Sequence, residues 1–411
     1  MSLTAITNSG NLKILHIIDS SGIYGAEVML LNLIEEQIKL GIQPVIASIG
    51  EKKISEKPLE TEAIKRGFLV KKFRMIPGPN PVGAYGVLKY AHKHNFDLLH
   101  SHGYKGNILF GFIPKKIRKL PLLSTLHGHT STSGLTKMRV YEWFDLCSHR
   151  FIDQMVLVNK GMLTSPRLKN RKGINFQVIN NGIPISSHPN TFSASNKQDF
   201  PIINFCQKSF TIGTIGRLSK EKGYDYLIKA LFILRQKGID ARLVIIGEGG
   251  QRDYLEELIK ENNLLNHVVM SGYKEKASLY IPFFDVYVIS SLTEGLPITL
   301  LEAMQAHVPV VATKVGGIPN ILKNNESGIL IDPCNPDAIS QAVMALHGNK
   351  KMSDKLARSA YKMVLAGFSS KKMAMEYLNV YRNIMDPAGF VDFSRKNSFF
   401  RKLKSQRENK K

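Results

Sequence analysis

Ser290-Ser291-Leu292-Thr293-Glu294-Gly295-Leu296-Pro297-Ile298-Thr299-Leu300-Leu301-Glu302-Ala303-Met304 is the stretch from which the fold of this 411-residue chain can be read. An apolar strand-like run, Val286 to Ile289, leads into it. Helical spacing follows, with Pro297 where a helix can open, because proline's missing N–H is no loss in a first turn. The amides of Gly295 and Leu296 then face a cleft, where a helix start attracts anions through unpaired N–H groups and its dipole. Glu294 lies beside that anion site, and Glu302 sits among Leu300, Leu301, Ala303 and Met304. Carboxylates repel phosphate but accept hydrogen bonds from hydroxyls, so the stretch suits a ligand that carries both, as a nucleotide sugar does. Glu294 also fits a plain capping role, since acids favour a first turn. Glu302 belongs to a helix that is apolar around most of its circumference, which places it in a cleft wall or a core.

Glu294 and Glu302 stand as E-x7-E, and the run from Thr293 to Pro319, TEGLPITLLEAMQAHVPVVATKVGGIP, resembles the donor-site signature of the family 4 retaining glycosyltransferases. Similarity of a weaker kind extends over most of residues 12 to 385. The resemblance implies an α/β protein of GT-B architecture, two Rossmann-like domains with parallel sheets facing across a cleft.

Composition agrees with a chain of this class. At 43% hydrophobic residues it can bury two or three domain cores. No run reaches the roughly 20 apolar residues that a membrane span needs. Met1 to Gly10 is polar and reads as no secretory signal. Cys147, Cys206 and Cys334 lack metal-type spacing and fit a reducing compartment, so a cytoplasmic location is expected. The net charge of +23 is unevenly spread. Residues 1–205 hold 26 Lys and Arg against 13 Asp and Glu, residues 206–394 hold 22 against 19, and residues 395–411 hold 8 against 1. Basic surfaces suit nucleic acid, anionic membrane or an anionic substrate. No helix-turn-helix, zinc finger or RNA-binding sheet pattern is visible, which argues against a nucleic-acid partner.

In chain order, Leu12 to Ile18 reads as a buried parallel strand, and Asp19 to Glu27 as a glycine turn before a helix from Val28 to Leu40. Gly22 and Gly25 form G-x-x-G rather than the dinucleotide G-x-G-x-x-G, so bound NAD is not indicated. These glycines let backbone approach a ligand, or simply make a tight turn. In the resembled family this loop reaches the donor phosphates or the acceptor. Strands are expected at 44–49, 68–73, 98–101, 120–126, 155–158 and 176–179, alternating with helices, as in a parallel sheet covered on both faces. His100 and His102 end one strand, and His127 and His129 follow another. Histidines at i and i+2 on a strand point the same way, so a metal pair is conceivable there. No acidic or cysteine partner is spaced beside them, and the resembled enzymes work without metal. The setting of His127, Ser124-Thr125-Leu126-His127-Gly128, is similar to the family's T-x-H strand end, whose histidine faces the donor sugar. Gly128 stands where the family often has Asp, so that neighbour's contacts do not carry over. A purely structural role for His127 is the alternative.

Asn180-Asn181-Gly182-Ile183 resembles the family's close of the first domain, with Pro184 in place of the usual acid, and the Ser-, Asn- and Pro-rich Ser186 to Pro201 reads as a linker. The pattern restarts with Phe210 to Gly216, then Arg217-Leu218-Ser219-Lys220-Glu221-Lys222-Gly223. Arg217 and Lys222 can converge on a diphosphate, or else form a surface salt bridge with Glu221. They match the family's G-R-L-x-x-x-K-G, where these cations neutralise the leaving nucleoside diphosphate. Further strands are expected at 241–247, 268–272, 286–289, 308–313 and 328–331. Gly272 and Tyr273 resemble the turn that meets the nucleotide base, and Asn320 replaces the family's common Glu after Gly316-Gly317-Ile318-Pro319. The organisation expected is a first domain over 1–185, a linker over 186–208, a nucleotide-sugar domain over 209–366, a closing helix over 367–392 and a basic tail over 393–411. That tail reads as a solvated end or as a dock for anionic lipid, with Lys115-Lys116-Ile117-Arg118-Lys119 a second cationic patch.

The resemblance implies a retaining transferase that moves a sugar, commonly from a uridine diphosphate donor, to a hydroxyl acceptor without metal or other cofactor. Glu294 orients the sugar hydroxyls, Glu302 the ribose, His127 the sugar from the opposite domain, and Arg217, Lys222 and the amides of Gly295 and Leu296 meet the diphosphate. A basic first domain points to a lipid-linked or cell-surface glycan acceptor at the inner membrane face. The competing readings are a GT-B epimerase or phosphorylase, and a non-catalytic nucleotide-sugar or polysaccharide binding protein.

Overall fold

The computed structural model describes residues 12–78, 80–127, 137–164, 168, 173–185 and 200–386. The tail at 393–411, His129 and most of the linker at 186–208 lie outside them. Among the described residues, thirteen strands form two sheets, parallel throughout. The first holds β1 (Lys13–Ile18), β2 (Gln43–Glu51), β3 (Leu69–Met75), β4 (Leu98–His102), β5 (Leu122–Leu126), β6 (Gln154–Leu157) and β7 (Phe176–Val178) in the order 3-2-1-4-5-6-7. The second holds β8 (Phe210–Ile215), β9 (Ala241–Ile246), β10 (Val268–Met270), β11 (Val286–Ile289), β12 (Val310–Thr313) and β13 (Ile329–Ile331) in the order 10-9-8-11-12-13. These are the thirteen strands the sequence indicates, with ends shifted by one or two residues.

Parallel strands are buried on both faces and read as continuous apolar runs, as in Val286–Ile289, every residue of which is buried. Each sheet reverses its strand order beside its first strand, between β1 and β4 and between β8 and β11. Ligands bind outside the carboxyl ends of strands at such reversals. The loops leaving those strands are Asp19–Tyr24, the turn after His102, Arg217–Gly223 and Ser290–Pro297.

The helix after β11 spans Ile298–Gln305. Pro297 lies one residue outside it, extended at ψ 123°, rather than inside the first turn. Its ring fixes φ at −68° and aims the chain into the helix from outside. Ile298, Leu300, Leu301, Ala303 and Met304 are buried, each large one contributing about 1.5–3 kcal/mol. A second departure is the helix Phe200–Cys206, within the span read as linker. Its Ile202, Ile203 and Cys206 are buried, so this apolar end of the span packs as core.

The C-terminal helix Ser370–Met385, capped by Ser369 through Lys372 N at 3.1 Å, lies against the helix Gly25–Lys39. It sends Tyr377 and Tyr381 into the first sheet, where both are buried. Ile183 pairs with Ser369 where the chain crosses back.

Candidate functional site

A cleft of about 770 Å³ lies between the carboxyl ends of the two sheets. Its second-domain wall is built on β8 and β11. Arg217 leaves β8, and Lys222 ends a single 3-10 turn, Lys220–Lys222. Gly223 follows with φ at +60°, and a side chain there would strike the Ser290 carbonyl oxygen at 2.4 Å. Glycine therefore lets the Lys222 turn seat against the end of β11. Lys222 Nζ donates to Glu294 Oε1 at 2.5 Å, and Ser291 Oγ donates to the same oxygen at 2.7 Å. Glu294 is thus held by a cation and a hydroxyl and does not cap the helix. Arg217 Nη2 pairs with Glu221 Oε1 at 2.5 Å, and its guanidinium stands 5.4 Å from the ring centre of Tyr24 on the other domain.

Gly316-Gly317 hold the Glu294 loop from behind. Gly317 N donates to the Gly295 carbonyl at 2.8 Å. Gly316 has φ at +55°, and a Cβ there would fall 1.7 Å from the Glu294 carbonyl oxygen. Only glycine allows that approach, which explains this pair inside the signature run. Across the cleft, Asn159 Nδ2 donates to the Gly295 carbonyl at 3.2 Å and Asn181 Nδ2 to the Leu296 carbonyl at 3.1 Å. Two first-domain asparagines thereby fix the loop that carries Glu294.

Glu302 keeps a partly open face to the cleft, yet burial pushes its carboxyl up to about 7. His127, just past β5, lines the cleft from the first domain, and burial pulls its imidazole down to about 4. It is a neutral ring near neutral pH.

His127, Glu294, Gly25, Arg217, Lys222, Tyr273, Gly295, Leu296 and Glu302 all line this one cleft. Gly22 and Gly272 do not. Gly22 accepts at its carbonyl from Ser20 Oγ at 2.5 Å, and a Cβ on it would meet the Tyr24 ring at 2.7 Å, so it makes room for Tyr24, which itself lines the cleft. Gly272 O accepts from Gly247 N at 2.9 Å and ties the loops after β9 and β10, while its neighbour Tyr273 faces the cleft. Sequence reading missed Glu62, Arg66 and Asn159. The first two come from the helix Pro58–Lys65 and its cap, whose polar face looks like any solvated surface. It also missed His16, wholly buried in β1, although a histidine inside KILHII was a signal.

Twin Rossmann sheets closing on a cleft with two cations, two carboxylates and a histidine define the class as a GT-B-type sugar transferase. Residues 195–363 match the family described as glycosyl transferases group 1, and residues 23–187 match glycosyltransferase family 4. The chain belongs to this glycosyltransferase family and is a hexosyltransferase-type enzyme. It is 29% identical over 322 residues to an uncharacterized glycosyltransferase of Methanocaldococcus jannaschii, covering 75% of this chain and 79% of that protein. It is 25% identical over 317 residues, 73% of this chain and 78% of the relative, to the UDP-Gal:alpha-D-GlcNAc-diphosphoundecaprenol alpha-1,3-galactosyltransferase of Escherichia coli. Among solved structures, Anabaena HepE in complex with UDP-glucose superposes with a TM-score of 0.75 at 20% identity, covering 90% of this chain and 100% of that one.

Proposed function

We propose that the enzyme transfers a hexose from a uridine diphosphate sugar to a hydroxyl of a lipid-linked glycan precursor, with retention at the anomeric carbon and without a metal ion. The observation that carries this reading is the Lys222–Glu294 pair at the ends of β8 and β11, facing His127 from the other sheet. The pair places a cation for diphosphate directly beside an acceptor for sugar hydroxyls. Arg217 exchanges Glu221 for the diphosphate, where its planar fork contacts phosphate oxygens bidentately. Glu302 accepts from the ribose hydroxyls, and His127 meets the sugar.

In the reaction the bond from the anomeric carbon to the phosphate oxygen breaks and the pair of electrons stays on the diphosphate. The acceptor oxygen attacks on the same face, and its proton passes to the departing phosphate oxygen. Groups that meet charge as it develops contribute most to rate, and here these are Lys222 and Arg217. Uridine as the base accords with the donor in the name of the Escherichia coli relative and the ligand of the Anabaena structure.

A membrane-bound acceptor is favoured by one surface of the first domain. Phe112, Ile117, Trp143 and Phe151 are 42%, 67%, 60% and 55% exposed, and ring contacts of 5.1–6.2 Å join Trp143, Phe144, Phe112 and Phe151. Exposed Lys115, Lys116, Lys119 and Arg150 accompany these aromatics along the chain. Aromatics with cations suit the headgroup level of an anionic bilayer. No helix among the described residues is long and apolar enough to cross a membrane.

The test is turnover of a panel of nucleotide sugars with a membrane extract as acceptor and a chelator present, the product's anomeric configuration read by NMR. Transfer from one uridine diphosphate sugar with retention supports the reading. Tight donor binding without turnover favours a non-catalytic binding protein.

A further inference from the structure

Behind His127 runs a chain of buried polar side chains that the donor-site roles leave unused. β1 supplies His16, β4 supplies His100 and His102, the helix Gly25–Lys39 supplies Gln37, and the C-terminal helix supplies Tyr377 and Tyr381. His127 Nε2 lies 3.2 Å from His102 Nδ1, His102 Nε2 lies 3.0 Å from His16 Nδ1, and His16 Nε2 lies 2.8 Å from Gln37 Oε1. From Gln37 a second branch continues. Its Nε2 donates to Tyr381 Oη at 2.9 Å, which stands 2.8 Å from His100 Nδ1. His100 Nε2 then reaches Thr125 Oγ1 at 2.8 Å, and Thr125 reaches Tyr377 Oη at 2.9 Å.

The nitrogens of His16, His100 and His102 also cluster within 4.8 Å of one another, close enough to be weighed as a metal site. Every one of them is already hydrogen-bonded to protein, and the group contains no carboxylate or thiolate. A divalent ion there would bring two uncompensated charges into a fully buried place. The rings are therefore neutral, in agreement with burial holding all four well below the usual imidazole range.

Neutrality gives the chain a direction, because a neutral imidazole donates from one nitrogen and accepts at the other. Gln37 Oε1 can only accept, so His16 carries its proton on Nε2 and accepts at Nδ1. His102 must then donate from Nε2 and accept at Nδ1, and His127 must donate from Nε2. This leaves His127 Nδ1 as a bare lone pair, and among the described residues it is the one ring nitrogen of the four that is buried without a partner. A buried acceptor with nothing to accept from calls for a ligand or a strain account, and His127 lines the donor cleft.

We propose that Gln37, His16 and His102 are positioning residues that fix His127 in its Nε2–H form, so that Nδ1 is offered as an acceptor to a hydroxyl of the bound sugar. The orienting contact at the far end comes from Gln37, anchored by Tyr381 of the C-terminal helix, so the helix that crosses back from the second domain sets a proton position at the sugar. The proposal rests on the transferase reading for the identity of the ligand, but its structural core does not.

That separation shapes the experiment. The 15N shifts of the histidine ring nitrogens in the wild-type protein distinguish protonated from bare nitrogens without any substrate. The expected result is Nε2–H on His16, His102 and His127. A proton on His127 Nδ1, or an imidazolium at neutral pH, overturns the proposal whatever the enzyme transfers. In turnover, Gln37→Met should lower kcat about tenfold while UDP affinity stays within twofold, the size of one neutral hydrogen bond. Gln37→Glu, which still accepts from His16, should recover most of the loss. A Gln37→Met enzyme with wild-type kcat also refutes it, and if that variant does not fold, the wild-type spectrum and Gln37→Glu decide. Wild type without sugar transfer, alongside the expected tautomers, would instead sink only the transferase reading.

Discussion

The two walls of the cleft are built on opposite principles. The second-domain wall is charged and local, with Arg217 and Lys222 in one loop and Glu294, Gly295 and Leu296 in another, held by ion pairs at 2.5 Å. Around His127 the first-domain wall is neutral and distributed, with His127 backed by His102, His16 and Gln37, which lie far apart in sequence, while Glu62 and Arg66 bring charge to the same wall only farther along the cleft. On the proposed reading, the cations of the second-domain wall meet the diphosphate, and the neutral ring of His127 meets a hydroxyl of the sugar from the other side. Charge works at the surface of a loop. A fixed proton position needs a rigid, dry interior behind it.

The sharpest way to break the comparison is at the charged wall. On the proposed reading Lys222→Ala removes a cation from the diphosphate and leaves Glu294, 10% exposed, with Ser291 but no cation, so kcat should fall about 10²–10³-fold. Arg217→Ala, at a side chain 44% exposed, should cost less, and steady-state kinetics on both variants checks the order. Gly316→Ala attacks the same wall through its backbone. Forcing Cβ against the Glu294 carbonyl should destabilise the fold by about 1–3 kcal/mol, read as a lower midpoint in urea.

Glu302 sharpens the comparison through pH. Its carboxyl titrates near 7 because burial disfavours the charge. On the proposed reading ribose hydroxyls bind the ionised form, so as pH falls below 7 a proton must first leave and donor affinity should weaken, by up to about tenfold per unit. Stability runs the other way. A folded pKa raised above the unfolded one favours the fold at low pH, and that contribution is lost as pH rises through about 7. Glu302→Gln should flatten both profiles, as calorimetry at pH 5.5 and 8 would report. The smallest expected effect is at the exposed face that carries Phe112 and Trp143, where, if it is the proposed lipid dock, replacing Lys116 and Lys119 with Ser should weaken binding to anionic vesicles by about 1 kcal/mol per residue.

The same contrast explains what could be read from sequence. Thr293 to Pro319 and Arg217 to Gly223 are short contiguous runs whose geometry is local, so Glu294, Glu302, Arg217 and Lys222 could all be named before any fold was known. The strands were legible because parallel strands are apolar on both faces. Pro297 was misplaced by one position, since a proline satisfies both the first turn and the residue before it. Gly22 and Gly272 were read as ligand contacts because a glycine that admits a ligand and one that admits a neighbouring side chain look alike in sequence. Gln37, His16, Tyr377 and Tyr381 meet only after folding. The one local hint, a histidine within the buried run of β1, carried no partner beside it.

The division of labour between the walls is tested most directly by measuring UDP binding and UDP-sugar turnover, with chelator present, for wild type, Lys222→Ala and His127→Ala. The account predicts that turnover falls in both variants, while UDP affinity falls only in Lys222→Ala. Loss of UDP binding in His127→Ala, or unchanged UDP binding in Lys222→Ala, would contradict it.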